Sequence, residues 1–253
     1  MVHHTMISLD ASTQNVSTFK EWCTNRKQPW SVLPGRRIST LEEAKPLLTS
    51  YGYYIMQNWR ETSSHFDSTG PIGCFLAHRD AWAACVLRNE QTWVFEEGVY
   101  AYETPLFDKL DRQYPTTDLI LGHTFTVLRM WKQKSIGKRI ICPLLSTVDK
   151  VYFSTKCYRI SPLFAARLLE NSKTFDTHVD TFICTESIRY ADEFNTARTI
   201  RSIVSAKSSG TINHSIDHSV LILCLLVLSI LVLSVGSIAV TRLYKRCRAG
   251  IDR

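Results

Sequence analysis

From Val220 to Val240 the chain runs for 21 residues without a charge, and 15 of them are Leu, Ile or Val. As a helix rising 1.5 Å per residue the run reaches about 31 Å, close to the hydrocarbon thickness of a bilayer. Its aliphatic side chains together favour insertion by about 6 kcal/mol, which the interspersed serines do not reverse. A buried core helix is the competing reading, but such helices are usually shorter and broken by polar positions. The run is therefore predicted to be one transmembrane helix. Ser234, Gly236 and Ser237 offer a helix-packing face as the alternative to a plain anchor. The preceding stretch, Ser202 to Ser219, is polar, rich in Ser and His and lacks apolar periodicity, as expected of a linker. Residues 1–201 are left as one folded domain, and 241–253 as a basic tail.

The side of the membrane stays open. Met1 to Asp10 has no basic region followed by a long apolar one, so no signal peptide is expected and the span reads as a tail anchor. Arg242, Lys245, Arg246, Arg248 and Arg253 follow the span, and basic flanks tend to remain in the cytoplasm, which argues the other way. The sequons Asn15-Val16-Ser17 and Asn213-His214-Ser215 matter only in a lumen. Of the net charge of +7, +4 lies after Val240, where it suits anionic headgroups. The +3 on the rest is too small to indicate a nucleic-acid partner. Eight cysteines (23, 74, 85, 142, 157, 184, 224 and 247) are scattered without a C-x-x-C pair. That spacing argues against a zinc site and predicts free thiols, with Cys247 as a candidate for palmitoylation.

Short apolar runs alternate with longer helical patterns across residues 1 to about 200, which predicts an α/β domain. Thr5 to Leu9 reads as a first strand and Val16 to Asn25 as a helix. Gly73 to Asn89 reads as a longer helix, with Cys74, Ala77, Ala81 and Cys85 forming a small-residue stripe beside Trp82. Thr92 to Phe95, Asp118 to Leu121 and Cys157 to Ile160 read as buried strands. Ser161 is placed to cap a helix that begins at Pro162.

Glu96 and Glu97 follow the Thr92–Phe95 run directly. Acids at the carboxyl end of a buried strand sit where open α/β sheets bind ligands, and hard divalent cations prefer their oxygens. A pair of solvated glutamates opening a loop fits the same residues. His78, on the helix before that strand, is a packing histidine or a ligand. Asp180 is a general base, a metal contact or a helix cap.

Gly70-Pro71-Ile72-Gly73-Cys74-Phe75-Leu76-Ala77-His78-Arg79-Asp80-Ala81-Trp82 resembles the G-x-I-G-C-x-x-S-H-x-x-x-W signature of the family 25 glycosyltransferases, with Ala77 where Ser is usual. Val94-Phe95-Glu96-Glu97-Gly98-Val99 is similar to that family's L-E-D-D-V. Met6 to Asp10, Asp118 to Gly122, Tyr158 to Ser161, Ala166 to Leu169 and Val179 to Phe182 match further segments, in order, over residues 5–185. The resemblance implies a GT-A-like, Rossmann-type fold that binds a nucleotide-sugar donor and transfers a galactose-like hexose to a glycan or protein. It implies donor contacts at Ser8, Leu9, Asp10, Gly73 and His78, Mn²⁺ or another divalent cation on Glu96 and Glu97, and Asp180 as base or acceptor contact. The family's second aspartate falls on Gly98, and Ala11-Ser12-Thr13-Gln14 lacks the arginines that often follow the first strand. An inactive, membrane-tethered binding module is therefore the competing expectation.

Overall fold

The computed structural model describes residues 2–57, 69–123, 145–148, 154–199 and 202–206. In chain order the principal elements are β1 (His3–Ser8), α1 (Gln14–Asn25), β2 (Trp30–Pro34), α2 (Leu41–Ala44), α3 (Ser50–Gln57), α4 (Gly70–Arg88), β3 (Thr92–Glu96) and β4 (Val99–Tyr102). There follow α5 (Thr104–Gln113), β5 (Leu119–Leu121), β6 (Leu145–Thr147), β7 (Cys157–Ile160), α6 (Pro162–Asn171), α7 (Val179–Arg189), β8 (Thr196–Thr199) and β9 (Val204–Ala206).

Seven strands form one sheet in the order β2-β1-β3-β7-β5-β8-β6. β1 pairs in parallel with β2 and β3, and β5 with β8, whereas β7 and β6 run antiparallel to their neighbours. This mixed, partly parallel sheet is compatible with a Rossmann-type fold. Both faces are covered, which explains why the strands read as continuous apolar runs. Successive side chains alternate between two cores. Val94, Leu119, Leu121 and Tyr158 join α4, α6 and α7 on one face. Trp93, Phe95, Ile120 and Cys157 join α1 and α5 on the other.

Local chemistry sets the helix ends. Thr13 caps α1 by accepting from the Val16 amide, and Ser161 caps α6 by accepting from Phe164, ahead of Pro162 in the first turn. α4 begins three residues earlier than its periodicity suggested and stops at Arg88, because Asn89 turns left-handed at φ 54°. Gly73 lies where α4 crosses the chain after β2. A Cβ there would stand 2.3 Å from the Arg36 carbonyl oxygen, so only glycine permits that approach.

Two further boundaries differ from expectation in ways that bear on burial. β1 begins at His3, not Thr5, because His3 and His4 are buried and partnered by Ser31 and by the Val2 carbonyl. Residues 202–206, expected to open a linker, instead carry a strand, since Ile203 and Val204 are buried and β9 pairs antiparallel with β4, and residues 207–219 lie outside the described residues. Backbone pairing and two apolar side chains suffice to hold a strand that composition reads as linker. No helix among the described residues is long and apolar enough to cross a membrane, and Val220–Val240 lies outside them.

Candidate active site at the β1–β3 switch point

The chain leaves β1 toward β2 on one side, while β3 lies on the other. In open α/β sheets the crevice above such a reversal, at the carboxyl ends of the strands, is where ligands bind. Here those ends carry Ser8 to Asp10 on β1 and Glu96 and Glu97 on β3. Lys156, just before β7, comes to the same edge because β7 is antiparallel to β3, and its carbonyl accepts from the Glu96 amide at 3.1 Å.

The two adjacent glutamates face different partners, as alternation along a strand requires. Glu97 turns to β1: its Oε2 accepts from Ser8 Oγ at 2.7 Å and from the Leu9 amide at 3.1 Å. Its own carbonyl accepts from Asn15 Nδ2 at 2.8 Å, tying the first turn of α1 to the acidic turn. Glu96 turns to the α4 face. Its Oε2 accepts from Lys156 Nζ at 2.6 Å and its Oε1 from Thr155 Oγ1 at 2.6 Å, and His78 Nε2 stands 3.4 Å from Oε1. Burial alone would raise the Glu96 pKa, but His78 and the Lys156 charge outweigh it and hold the carboxyl well below its ordinary range. Glu96 is a carboxylate at neutral pH.

His78 is fully buried, and its Nδ1 lies 2.8 Å from the Tyr158 hydroxyl, which also accepts from Trp82 Nε1 at 2.9 Å. Burial holds the Tyr158 hydroxyl protonated. One phenol on β7 thus fixes two side chains that sit one turn apart on α4. Asp180 lies in the first turn of α7, where Oδ1 accepts from the Thr181 amide at 2.7 Å and Oδ2 from the Ser154 amide at 3.0 Å. Ser154 holds a left-handed φ of 100°, unusual for a residue with a side chain, and its Oγ lies 2.7 Å from His123 Nδ1. Burial lowers the His123 pKa, helped by the positive charge of Lys156.

Of the residues singled out from sequence, Ser8, Leu9 and Glu97 form one hydrogen-bonded group. His78 and Glu96 form a second. Asp180 reaches the second group through Ser154 and lies close enough to act electrostatically on the thiol of Cys74. Asp10 is exposed, with its carboxylate bound to Ser12. The contact recorded for Gly73 is with the backbone at Arg36, a packing contact. Sequence reasoning missed Thr155, Lys156, Ser154 and His123. The signal for the first three is the polar Ser-Thr-Lys run immediately before an apolar strand, and His123 left none.

A hard divalent cation held between Glu96 and Glu97 does not fit this arrangement. The two carboxylates turn to different sides, Glu96 toward α4 and Glu97 onto the end of β1, so they do not converge on one ion, and Gly98 brings no third. Among the described residues, one group has metal-ligand character: Cys74, His78 and Glu96, whose ligand atoms all lie within 4.8 Å of one another.

The mixed α/β sheet, with carboxylates at the switch point, is compatible with a Rossmann-type fold. The family model described as Glycosyltransferase family 25 (LPS biosynthesis protein) matches residues 1–183. The chain belongs to glycosyltransferase family 25. No curated protein matches it.

Proposed function

We propose that the chain is a membrane-anchored glycosyltransferase of GT-A-like fold that moves a galactose-like hexose from a nucleotide-sugar to a glycan or protein. The observation that carries this reading is the junction of Glu97 with Ser8 and Leu9, which gathers polar groups at the reversal between β1 and β3, the edge where open α/β sheets bind ligands. The donor nucleotide lies along Ser8 to Asp10 beside the first turn of α1. Asp180, aimed by two backbone amides, takes the proton of the acceptor hydroxyl. The acceptor oxygen then bonds the anomeric carbon, and the bond from that carbon to the diphosphate oxygen breaks, its electron pair leaving with the nucleoside diphosphate. His78 and Trp82 act by position, fixing α4 against Tyr158 and setting the end of β3.

Release of nucleoside diphosphate, measured across a panel of nucleotide-sugars with and without acceptor, tests the reading. One donor should be consumed, and Asp180→Asn should slow that turnover by roughly 10²–10⁴-fold. A nucleoside diphosphate at about 100 times its dissociation constant should add roughly 2.7 kcal/mol of stability. Gly98, standing where the family carries a second aspartate, favours a second reading as an inactive sugar-nucleotide-binding module. Stabilisation without turnover of any donor selects it. Neither stabilisation nor turnover refutes both.

The anchor is tested separately. Leu228→Arg with Leu231→Arg places two charges mid-span, at about 2.5–3.5 kcal/mol each, and should release the chain from membranes. Continued retention in the membrane fraction would refute the span.

A further inference from the structure

The geometry points to a binding site for a borderline-soft divalent cation, of which Zn²⁺ is the natural occupant, formed by Cys74 Sγ, His78 Nε2 and Glu96 Oε1. These three atoms lie within 4.8 Å of one another. Cys74 and His78 are four residues apart on α4, so both face the end of β3, where Glu96 meets them. Bonds of about 2.3 Å to sulfur and 2.0–2.2 Å to nitrogen and oxygen set tetrahedral ligand atoms about 3.3–3.8 Å apart. Side-chain rotations of roughly an ångström therefore close the set.

A second, independent observation is His78 itself. Its side chain is 0% exposed, yet the nearest partner of Nε2 is Glu96 Oε1 at 3.4 Å, too long for a well-formed hydrogen bond. A buried polar nitrogen without a good partner destabilises the fold. A metal bond removes that cost, with Glu96 Oε1 shared between the metal and the Thr155 hydroxyl that donates to it at 2.6 Å.

The surroundings are arranged as ligand supports. Tyr158 holds His78 by the other ring nitrogen, at 2.8 Å. Lys156 binds the far oxygen of Glu96, at 2.6 Å, and so orients the carboxylate while leaving Oε1 toward the histidine. The ammonium opposes a cation through space, but the carboxylates of Glu96 and Asp180 act in the same small volume and offset it. Cys74 enters as a thiolate, its proton leaving to solvent as the metal bond forms. A thiolate, an imidazole and one carboxylate select Zn²⁺ over Mg²⁺ or Mn²⁺, which prefer oxygen throughout. Three protein ligands leave one tetrahedral position for an exogenous oxygen.

The test is metal binding, independent of any transferase activity. Full-length protein is titrated with Co²⁺ as a coloured stand-in and then with Zn²⁺. One equivalent should bind with a sulfur-to-cobalt charge-transfer band that Zn²⁺ abolishes. Cys74→Ser should remove the band, and Glu96→Gln and His78→Gln should weaken binding. Tyr158→Phe should weaken it by roughly 10–100-fold, the usual loss when a residue that hydrogen-bonds a ligand is removed. Thermal melts confirm that each variant is folded, and the nearly isosteric Cys74→Ser decides if another is not. Absence of stoichiometric binding in the wild type overturns the proposal. So does a band that survives Cys74→Ser, or unchanged affinity in a folded His78→Gln.

Discussion

Tyr158→Phe isolates the network behind the acidic edge. The hydroxyl is buried and serves both His78 Nδ1, at 2.8 Å, and Trp82 Nε1, at 2.9 Å. The substitution keeps the ring and every apolar contact, so it opens no cavity larger than one oxygen. It leaves two buried polar groups unpaired, each at about 1–3 kcal/mol. The expected loss is therefore roughly 2–6 kcal/mol, well beyond the 0.5–1.5 kcal/mol net worth of a single hydrogen bond. For a domain of this size each kcal/mol lowers the melting temperature by roughly 2–4 °C, so a fall of about 4–24 °C is expected. The assay is thermal and urea unfolding of the full-length protein, with Tyr53→Phe as control. Tyr53 bonds Glu42 at an exposed site, and its loss should stay within about 0.5 kcal/mol. If Tyr158→Phe costs no more than that control, the phenol does not organise α4 against β7 and the positional role of His78 and Trp82 falls with it.

Gly73→Ala sets two effects against each other. Alanine gains up to about 1 kcal/mol of helix propensity, but its Cβ at 2.3 Å from the Arg36 carbonyl forces backbone apart at about 1–3 kcal/mol, so a lower urea midpoint is expected and a raised one refutes the contact. Stability should also fall in acid. Burial, with Arg26 nearby, lowers the His4 pKa from 6.5 to about 3, and burial with Arg88 lowers that of His3 to about 4, so the unfolded chain binds more protons as pH drops from 6.5. Glu96, depressed as well, adds to the loss below its ordinary 4.5. Urea midpoints between pH 7.5 and 4 should decline, and His4→Gln should flatten the decline; an unchanged slope in that variant would remove His4 from the account.

Much of the sheet was legible because burial on both faces leaves an unambiguous trace. Thr92–Phe95 and Cys157–Ile160 have no other way to satisfy so many adjacent apolar side chains. The strand at His3 and His4 was hidden, since a neutral, hydrogen-bonded histidine in a core cannot be distinguished from a surface one by composition. β9 was hidden for the opposite reason, as its register with β4 depends on a partner a hundred residues away. The acids were located correctly at a strand's end, yet their partners were not. Nothing in the residues near Glu96 announces Lys156, which arrives through the antiparallel insertion of β7. Cysteine spacing registers pairs along the chain, and so it is silent on one thiol, Cys74, lying near a histidine of its own helix and a carboxylate from a strand.

The consecutive pair Glu96-Glu97 shows why the family motif and its chemistry separate in this chain. Neighbouring residues at a strand end project to opposite sides, so two adjacent carboxylates share one cation only if the turn beyond the strand redirects the second. In the family pattern a third acid lies one position further on, a second step along the turn. Here that position is Gly98, and Glu97 is drawn instead onto Ser8 and the Leu9 amide, where it closes the end of β1. Glu96 is left facing α4, within reach of His78 and Cys74 and restrained by Lys156. One glutamate thereby closes the end of β1, and the other faces the helix behind it, so two carboxylates adjacent in sequence serve separate groups of partners.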